Sequence, residues 1–275
     1  MNRLVFVTGC GRGIGQAIAL HLQKNGFTVS GCSRSLGQLE ETSKLSDGKI
    51  RVSGIDVTDE KKLESWFDYE ISNTEATPWG LVTAAGVYGP IGNFTENSWA
   101  KWKESLEINL YGTILACKFF TQNLIKRNLP GRIVLLSGGG ATRPLPNFSS
   151  YCATKAAVVR FGETIAYELE SKKITVNSIA PGAINTQLTE ELIKAGPQKA
   201  GKEMYDNALK QKETGGTAPL KAAELTTYLM GENGGSITGK LISAVWDPWG
   251  NLHKDSNLDK SDIYTLRRIV PKDRQ

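Results

Sequence analysis

Histidine is nearly absent from this chain of 275 residues, which carries two, and cysteine is scarce, with four. His21 and His253 lie far apart, and Cys10, Cys32, Cys117 and Cys152 fall at none of the close spacings used by zinc ligands or disulfide frameworks. A metal site and a disulfide scaffold are therefore not expected. Long apolar runs are missing as well. A stretch such as Arg132–Leu136 is a fraction of the roughly 20 residues that a membrane-spanning helix needs. The start, Met1–Thr8, passes directly into a strand pattern with no signal-peptide design, so a cytoplasmic protein with no membrane partner is expected. A formal net charge of +5 arises from 33 basic residues scattered among 28 acidic ones. Without a long basic run, nucleic acid is not an expected partner.

What is present suits one large α/β domain: 40% of the residues are hydrophobic and 22% charged. Apolar, β-branched runs occur at Leu4–Thr8, Phe27–Cys32, Ile50–Asp56, Leu81–Ala84, Arg132–Ser137, Ile174–Ala180 and Leu241–Trp246. Between them Gly15–Lys24, Glu60–Ser72, Ser98–Arg127, Tyr151–Ser171 and Lys221–Met230 carry apolar residues three and four apart, the helical period. Strands alternating with helices predict a doubly wound parallel sheet of about seven strands, covered on both faces. Residues 185–219 interrupt the alternation with polar residues and little periodicity; they are expected to leave the sheet and form a lid over the substrate. The domain is thus expected to span 1–250, with 251–275 a C-terminal extension packed on the surface or on a neighbouring subunit.

The first strand runs into Thr8-Gly9-Cys10-Gly11-Arg12-Gly13-Ile14-Gly15 and then a helix. Glycines there let backbone N–H groups approach a pyrophosphate at the helix N-terminus. The spelling G-x-G-x-x-G fails, because Ile14 takes the last glycine position counted from Gly9, whereas T-G-x-x-x-G-x-G fits through Thr8, Gly9, Gly13 and Gly15. This pattern resembles the fingerprint of the short-chain dehydrogenase/reductase family, whose members have a Rossmann fold and bind NAD(P). The second strand ends in Gly31-Cys32-Ser33-Arg34. An acid that would bond the ribose hydroxyls of NAD is missing, Ser33 takes its place, and Arg34 with Arg12 offers cations to a 2′-phosphate. NADP(H) is the expected cofactor, with NAD(H) the alternative. The resemblance further implies that Asp56, followed by Val57, contacts the adenine, and that Ala85 and Gly86 follow the fourth strand at the cofactor. In the loop after Asn177-Ser178-Ile179-Ala180, it implies that Pro181, Gly182, Ile184 and Thr186 lie at the nicotinamide end.

Tyr151 and Lys155 are four apart at the start of a helix, which puts phenol and ammonium on one face. A buried cation there is expected to lower the phenol's pKa toward a range useful for acid/base work. The Y-x-x-x-K spelling alone is cheap, and its weight comes from its place after the fifth strand. By the family resemblance, Tyr151 is the proton donor or acceptor, and Lys155 tunes it and holds the cofactor ribose. Ser137 then anchors the substrate oxygen, and Asn109 holds a proton-relay water.

Two departures stand out. Thr83-Ala84-Ala85-Gly86 lacks the asparagine the family usually has at position 84, and Gly138, not Ser137, sits at the customary distance from Tyr151. One extra loop residue is expected to bring the Ser137 hydroxyl within about 2.6–3.2 Å of the Tyr151 hydroxyl or a shared water. Thr142, Ser149 or a backbone N–H of the glycine run are the alternatives. Trp66, Trp79 and Trp102 are read as packing residues, and Trp246 and Trp249 as candidates for the cleft or an interface. The expected activity is hydride transfer with a small carbonyl or alcohol, in a homodimer or homotetramer. A nucleotide-sugar epimerase or dehydratase, or a non-catalytic NADP(H)-binding regulator, is the alternative.

Overall fold

The computed structural model describes residues 2–270 and Asp273; the rest of the expected C-terminal extension, 271, 272, 274 and 275, lies outside the described residues. In chain order the elements are β1 (Arg3–Thr8), α1 (Gly13–Lys24), β2 (Thr28–Ser33), α2 (Leu36–Leu45), β3 (Arg51–Gly54), α3 (Glu60–Ser72) and β4 (Thr77–Thr83). There follow α4 (Trp99–Leu106), α5 (Gly112–Lys126), β5 (Gly131–Leu136), α6 (Ser149–Glu168), β6 (Ile174–Ala180), α7 (Gln187–Ala200), α8 (Lys202–Thr214), α9 (Pro219–Met230) and β7 (Leu241–Ser243). All seven strands are parallel, in the order β3-β2-β1-β4-β5-β6-β7. The direction of winding reverses between β1 and β4, and a crevice opens there at the strands' C-terminal ends.

Both faces of the sheet are buried because successive strand residues point to opposite sides. Val5 and Val7 join Ile18 and Leu22 of α1 and Leu225 and Leu229 of α9, while Leu4 and Phe6 join Leu63 and Phe67 of α3 and Phe120 of α5. Trp66 meets Phe6 edge to face at 5.1 Å, Trp79 lies between the guanidinium groups of Arg3 and Arg132, and Trp102 stacks on Trp99. All three are packing residues, as expected.

Four boundaries differ from the sequence reading. The helix expected over 98–127 is divided by a π-helical segment, Glu107–Tyr111, between α4 and α5. Helix α2 went unread because it buries only Leu39 and Thr42 and leaves Leu36 and Leu45 exposed. Strand β7 stops at Ser243, whose hydroxyl accepts the N–H groups of Val245 and Trp246 in a turn. The expected lid is mostly helical: α7 is kinked at Gly196 (φ +76°), ahead of Pro197, and α8 follows. An isolated bridge between Ile184 and Gly216 ties the two ends of this excursion together.

The described part of the C-terminal extension packs on its own chain. Leu241 N–H on the outer strand donates to the Tyr264 carbonyl at 2.7 Å, and Glu163 of α6, itself buried, accepts the Leu266 N–H and pairs with Arg160 and Arg267. The open edge of β7 is thus partly covered, as edge strands require. No helix among the described residues is long and apolar enough to cross a membrane.

Candidate active site

The glycine loop between β1 and α1 is shaped by two separate demands. Gly9 and Gly13 have φ of +69° and +57°, a region that side chains disfavour. A Cβ on Gly15 would lie 2.2 Å from the Gly9 carbonyl oxygen, so the helix can enter this close only without one. The loop borders a cleft of about 260 Å³ lined by Gly9, Arg12, Gly13, Ile14 and Gly15 on one side and Ser33, Arg34, Asp56, Val57, Ala85, Gly86 and Thr186 on the other. Thr8 is buried behind it, its hydroxyl accepting the Ala85 N–H at 3.4 Å. Thr186 caps α7 by accepting the Leu188 N–H, and Pro181, Gly182 and Ile184 border the adjoining cleft.

This cradle fits a dinucleotide. The Ser33 hydroxyl is buried without a partner beside Gly11, and no carboxylate stands at the end of β2. Arg34 lies 3.8 Å from Asp56, whose other oxygen accepts from the N–H and hydroxyl of Thr58; the helix cap of α3 is Asp59, which leaves Asp56 at the cleft. Gln38, Gln187 and Glu191 also line it and were missed, because α2 and α7 were not read as elements.

Next to this lies a cleft of about 980 Å³, whose floor carries Tyr151 and Lys155 from the first turns of α6. The Lys155 Nζ donates to the Leu136 carbonyl at 2.8 Å and stands 5.9 Å from the centre of the Tyr151 ring. Burial lowers the Lys155 pKa to about 8. The Tyr151 pKa is raised, by burial first and then by Tyr88 and Cys152, which corrects the expectation that the lysine would lower it. The reason is geometric: the ammonium is turned onto a backbone carbonyl, and desolvation of the phenol dominates.

Asn109 sits in the π-helical segment, which turns its side chain inward. Its Oδ1 accepts the Val87 N–H and its Nδ2 donates to the Val87 carbonyl, both at 2.8 Å, and to the Thr154 hydroxyl at 3.1 Å. These bonds join the loop after β4 to α6. Gly86 makes room for the convergence, since a Cβ there would sit 3.3 Å from Asn109 Oδ1 and 3.5 Å from Lys155 Nζ.

Ser137 does not reach Tyr151. Its hydroxyl donates to the Lys155 carbonyl at 3.5 Å, under α6, while a Cβ on Gly138 would lie 2.3 Å from the Tyr151 hydroxyl oxygen. No direct Ser137–Tyr151 bond forms among the described residues, because in the extended segment just after β5 the Ser137 hydroxyl meets the helix backbone and residue 138 faces the phenol. Of the alternatives, Ser149 is taken by the Trp102 indole N–H, while Thr142 and the glycine run border the cleft. Trp249 packs on Tyr228, and Trp246, 84% exposed, stands at the cleft mouth.

Comparison with known proteins agrees with this geometry. Residues 3–196 match the family model described as short chain dehydrogenase. The probable oxidoreductase EphD of Mycobacterium tuberculosis is 32% identical over 195 residues, which is 68% of this chain and 32% of that protein, so the match spans about a third of the relative's length. The 3-oxoacyl-(acyl-carrier-protein) reductase FabG of Haemophilus influenzae is 30% identical over 242 residues, 88% of this chain and 96% of that one. Among solved structures, ElxO with NADP bound has a TM-score of 0.77 at 26% identity, covering 89% of this chain and 97% of that one. With its sheet order, its glycine cradle and the cleft beside it, this chain belongs to the short chain dehydrogenase family of oxidoreductases.

Proposed function

We propose that the chain is an NADP(H)-preferring oxidoreductase that interconverts a carbonyl and an alcohol, with Tyr151 as the acid/base. The observation that carries this reading is the cleft floor, where a phenol with no hydrogen bond among the described residues and a buried ammonium from one helix adjoin the glycine cradle. The relatives' names support it, since they include reductases and dehydrogenases of carbonyl and hydroxyl compounds.

Gly9, Gly13, Ile14 and Gly15 would hold the pyrophosphate, with Thr8 bracing the loop. Asp56 and Val57 would meet the adenine, Ser33, Arg12 and Arg34 the ribose phosphate, and Ala85 and Gly86 the middle of the cofactor. Pro181, Gly182, Ile184 and Thr186 would hold its nicotinamide end. When bound, the nicotinamide supplies or accepts the hydride. Tyr151 gives its proton to the substrate oxygen in reduction; its raised pKa keeps it protonated, and so a donor, through neutral pH. Lys155 would swing between the Leu136 carbonyl and the ribose and phenol, and Asn109 positions α6 against the loop after β4. Ser137 braces α6 from below, so a hydroxyl on the substrate oxygen is left to Thr142 or to backbone N–H groups. Self-association into a dimer or tetramer would use the exposed rings of Phe94, Trp99 and Tyr111 around α4 and α5.

Cofactor choice is testable at one position. Arg34→Asp removes a phosphate partner and supplies an acid for ribose hydroxyls, so the NADPH/NADH affinity ratio should fall by at least roughly tenfold. Titration of both cofactors by nicotinamide fluorescence checks it. An unchanged ratio would contradict the assignment.

A further inference from the structure

The substrate side of the large cleft has an apolar body, lined by Tyr88, Leu145, Ile184, Leu192 and Met204. Its charges, by contrast, are one-sided. Arg143, Lys155 and Lys210 are cationic, and among the described residues Asp247 is the one carboxylate, already accepting the Ser243 N–H at 2.6 Å. Lys155 is committed to the Leu136 carbonyl, and Lys210 rides on helix α8. Arg143 follows directly on the glycine run that abuts the phenol.

The single turn Gly139–Ala141 folds the chain back so that Arg143 N–H donates to the Gly139 carbonyl, and its Nε lies 3.9 Å from where a Cβ of Gly139 would be. The preceding residue, Gly138, abuts the Tyr151 hydroxyl. Gly138 and Gly140 face the Tyr151 ring and Gly139 faces the Arg143 guanidinium, so the two groups flank one glycine run from opposite sides, and both border the large cleft. The guanidinium makes no ion pair among the described residues. Ser137 borders the cleft, but its hydroxyl donates to the Lys155 carbonyl, and Gly138, which abuts the phenol, has no side chain to orient a substrate. A second, distant point of attachment can fix the orientation instead.

We propose that Arg143 is the anion-recognising residue of this cleft, and that the substrate is an oxo acid or its hydroxy acid. Its carbonyl or alcohol oxygen meets Tyr151 and its carboxylate pairs with Arg143. The inference rests on the oxidoreductase reading above and adds the substrate class to it. One planar fork matches a singly charged carboxylate, to which it can give two parallel hydrogen bonds. Arg143 acts in binding and orientation and takes no proton.

The test uses the whole chain with NADPH and matched pairs of equal chain length, an oxo acid and its methyl ester, with a phosphorylated ketone as a third arm. The acid should exceed the ester in kcat/KM by roughly tenfold, mostly through KM, and the margin should shrink as salt is raised. Arg143→Ala should collapse the ratio toward one, and Arg143→Lys should restore part of it, since a charge without the fork remains. Because Arg143 is exposed, both variants are expected to fold. An ester turned over as well as its acid by the parent enzyme, a preference for the phosphorylated ketone, or an unchanged ratio in Arg143→Ala would overturn the proposal. If neutral ketones are reduced in a Tyr151-dependent way while acids gain nothing, the Arg143 assignment falls alone. If no carbonyl compound of any arm oxidises NADPH, it falls together with the oxidoreductase reading.

Discussion

Tyr151→Phe is expected to lower turnover of a carbonyl substrate by at least roughly a hundredfold, the usual worth of a positioned general acid, while cofactor affinity stays nearly unchanged. The phenol oxygen is the one atom removed. The ring would keep its edge-to-face contact with Tyr88, with centroids 4.9 Å apart, and its seat against Gly138 and Gly140. The lost hydroxyl makes no hydrogen bond that holds the fold together among the described residues, so thermal stability should be equal or slightly higher. The hydroxyl opens on the cleft, so its removal leaves no new buried polar group unpaired. Steady-state assays with fluorescence titration of NADPH separate the effects: a fall in kcat with intact binding is the expected pattern. Near-normal kcat in the variant would remove Tyr151 from the chemistry.

Lys155→Met is expected to abolish most activity and to stabilise the protein at neutral pH. Burial holds the Lys155 pKa at about 8, against 10.5 for an unperturbed lysine, so the folded chain disfavours its charged form. The sign follows from proton counts. Between about pH 8 and 10.5 the unfolded chain binds more protons at this site than the folded one, so stability rises with pH across that window. Below about pH 8 the full penalty is present. A difference of this size corresponds to roughly 3 kcal/mol, from which loss of the hydrogen bond to Leu136 subtracts about 1 kcal/mol. Lys155→Met should therefore gain about 2 kcal/mol at pH 7, and the gain should shrink as pH approaches 10. Thermal or denaturant unfolding at the two pH values measures it. A variant that is less stable at pH 7, or equally shifted at both, would contradict the account, and retained turnover would contradict the role of the ammonium.

The parts of this molecule that sequence reasoning reached are those where local chemistry leaves little choice. Gly9, Gly13 and Gly15 are constrained by backbone angle and close approach, and alternating burial makes strands such as Leu4–Thr8 apolar throughout. Tyr151 and Lys155 share a helix face because four residues make about one turn. The reading failed where the determinant was not local. At the end of β5 the spacing to Tyr151 pointed to position 138, and a preference for a hydroxyl moved the assignment to Ser137; the strand's alternation followed the spacing. Helices α7 and α8 bury few residues, Thr189, Leu192, Ala200 and Ala208, so their apolar period is weak. The clamp of Glu163 on Leu266 and Arg267 joins residues about a hundred positions apart, and nothing near Glu163 in the chain announces it. Arg143 went unnoticed for a related reason, since its relation to the phenol depends on a turn in a glycine run.

The central claim is that this cleft transfers hydride to a carbonyl carbon and proton to its oxygen, which separates it from an epimerase and from a cofactor sensor alike. Turnover of an oxo acid with NADPH dideuterated at the 4-position of the nicotinamide tests this most directly. The account predicts one deuterium on the carbinol carbon of the product for each NADP formed, with loss of the signal in Tyr151→Phe. Cofactor that binds tightly but passes no label to any carbonyl carbon, or label that returns to the nicotinamide with no net oxidation, would contradict it.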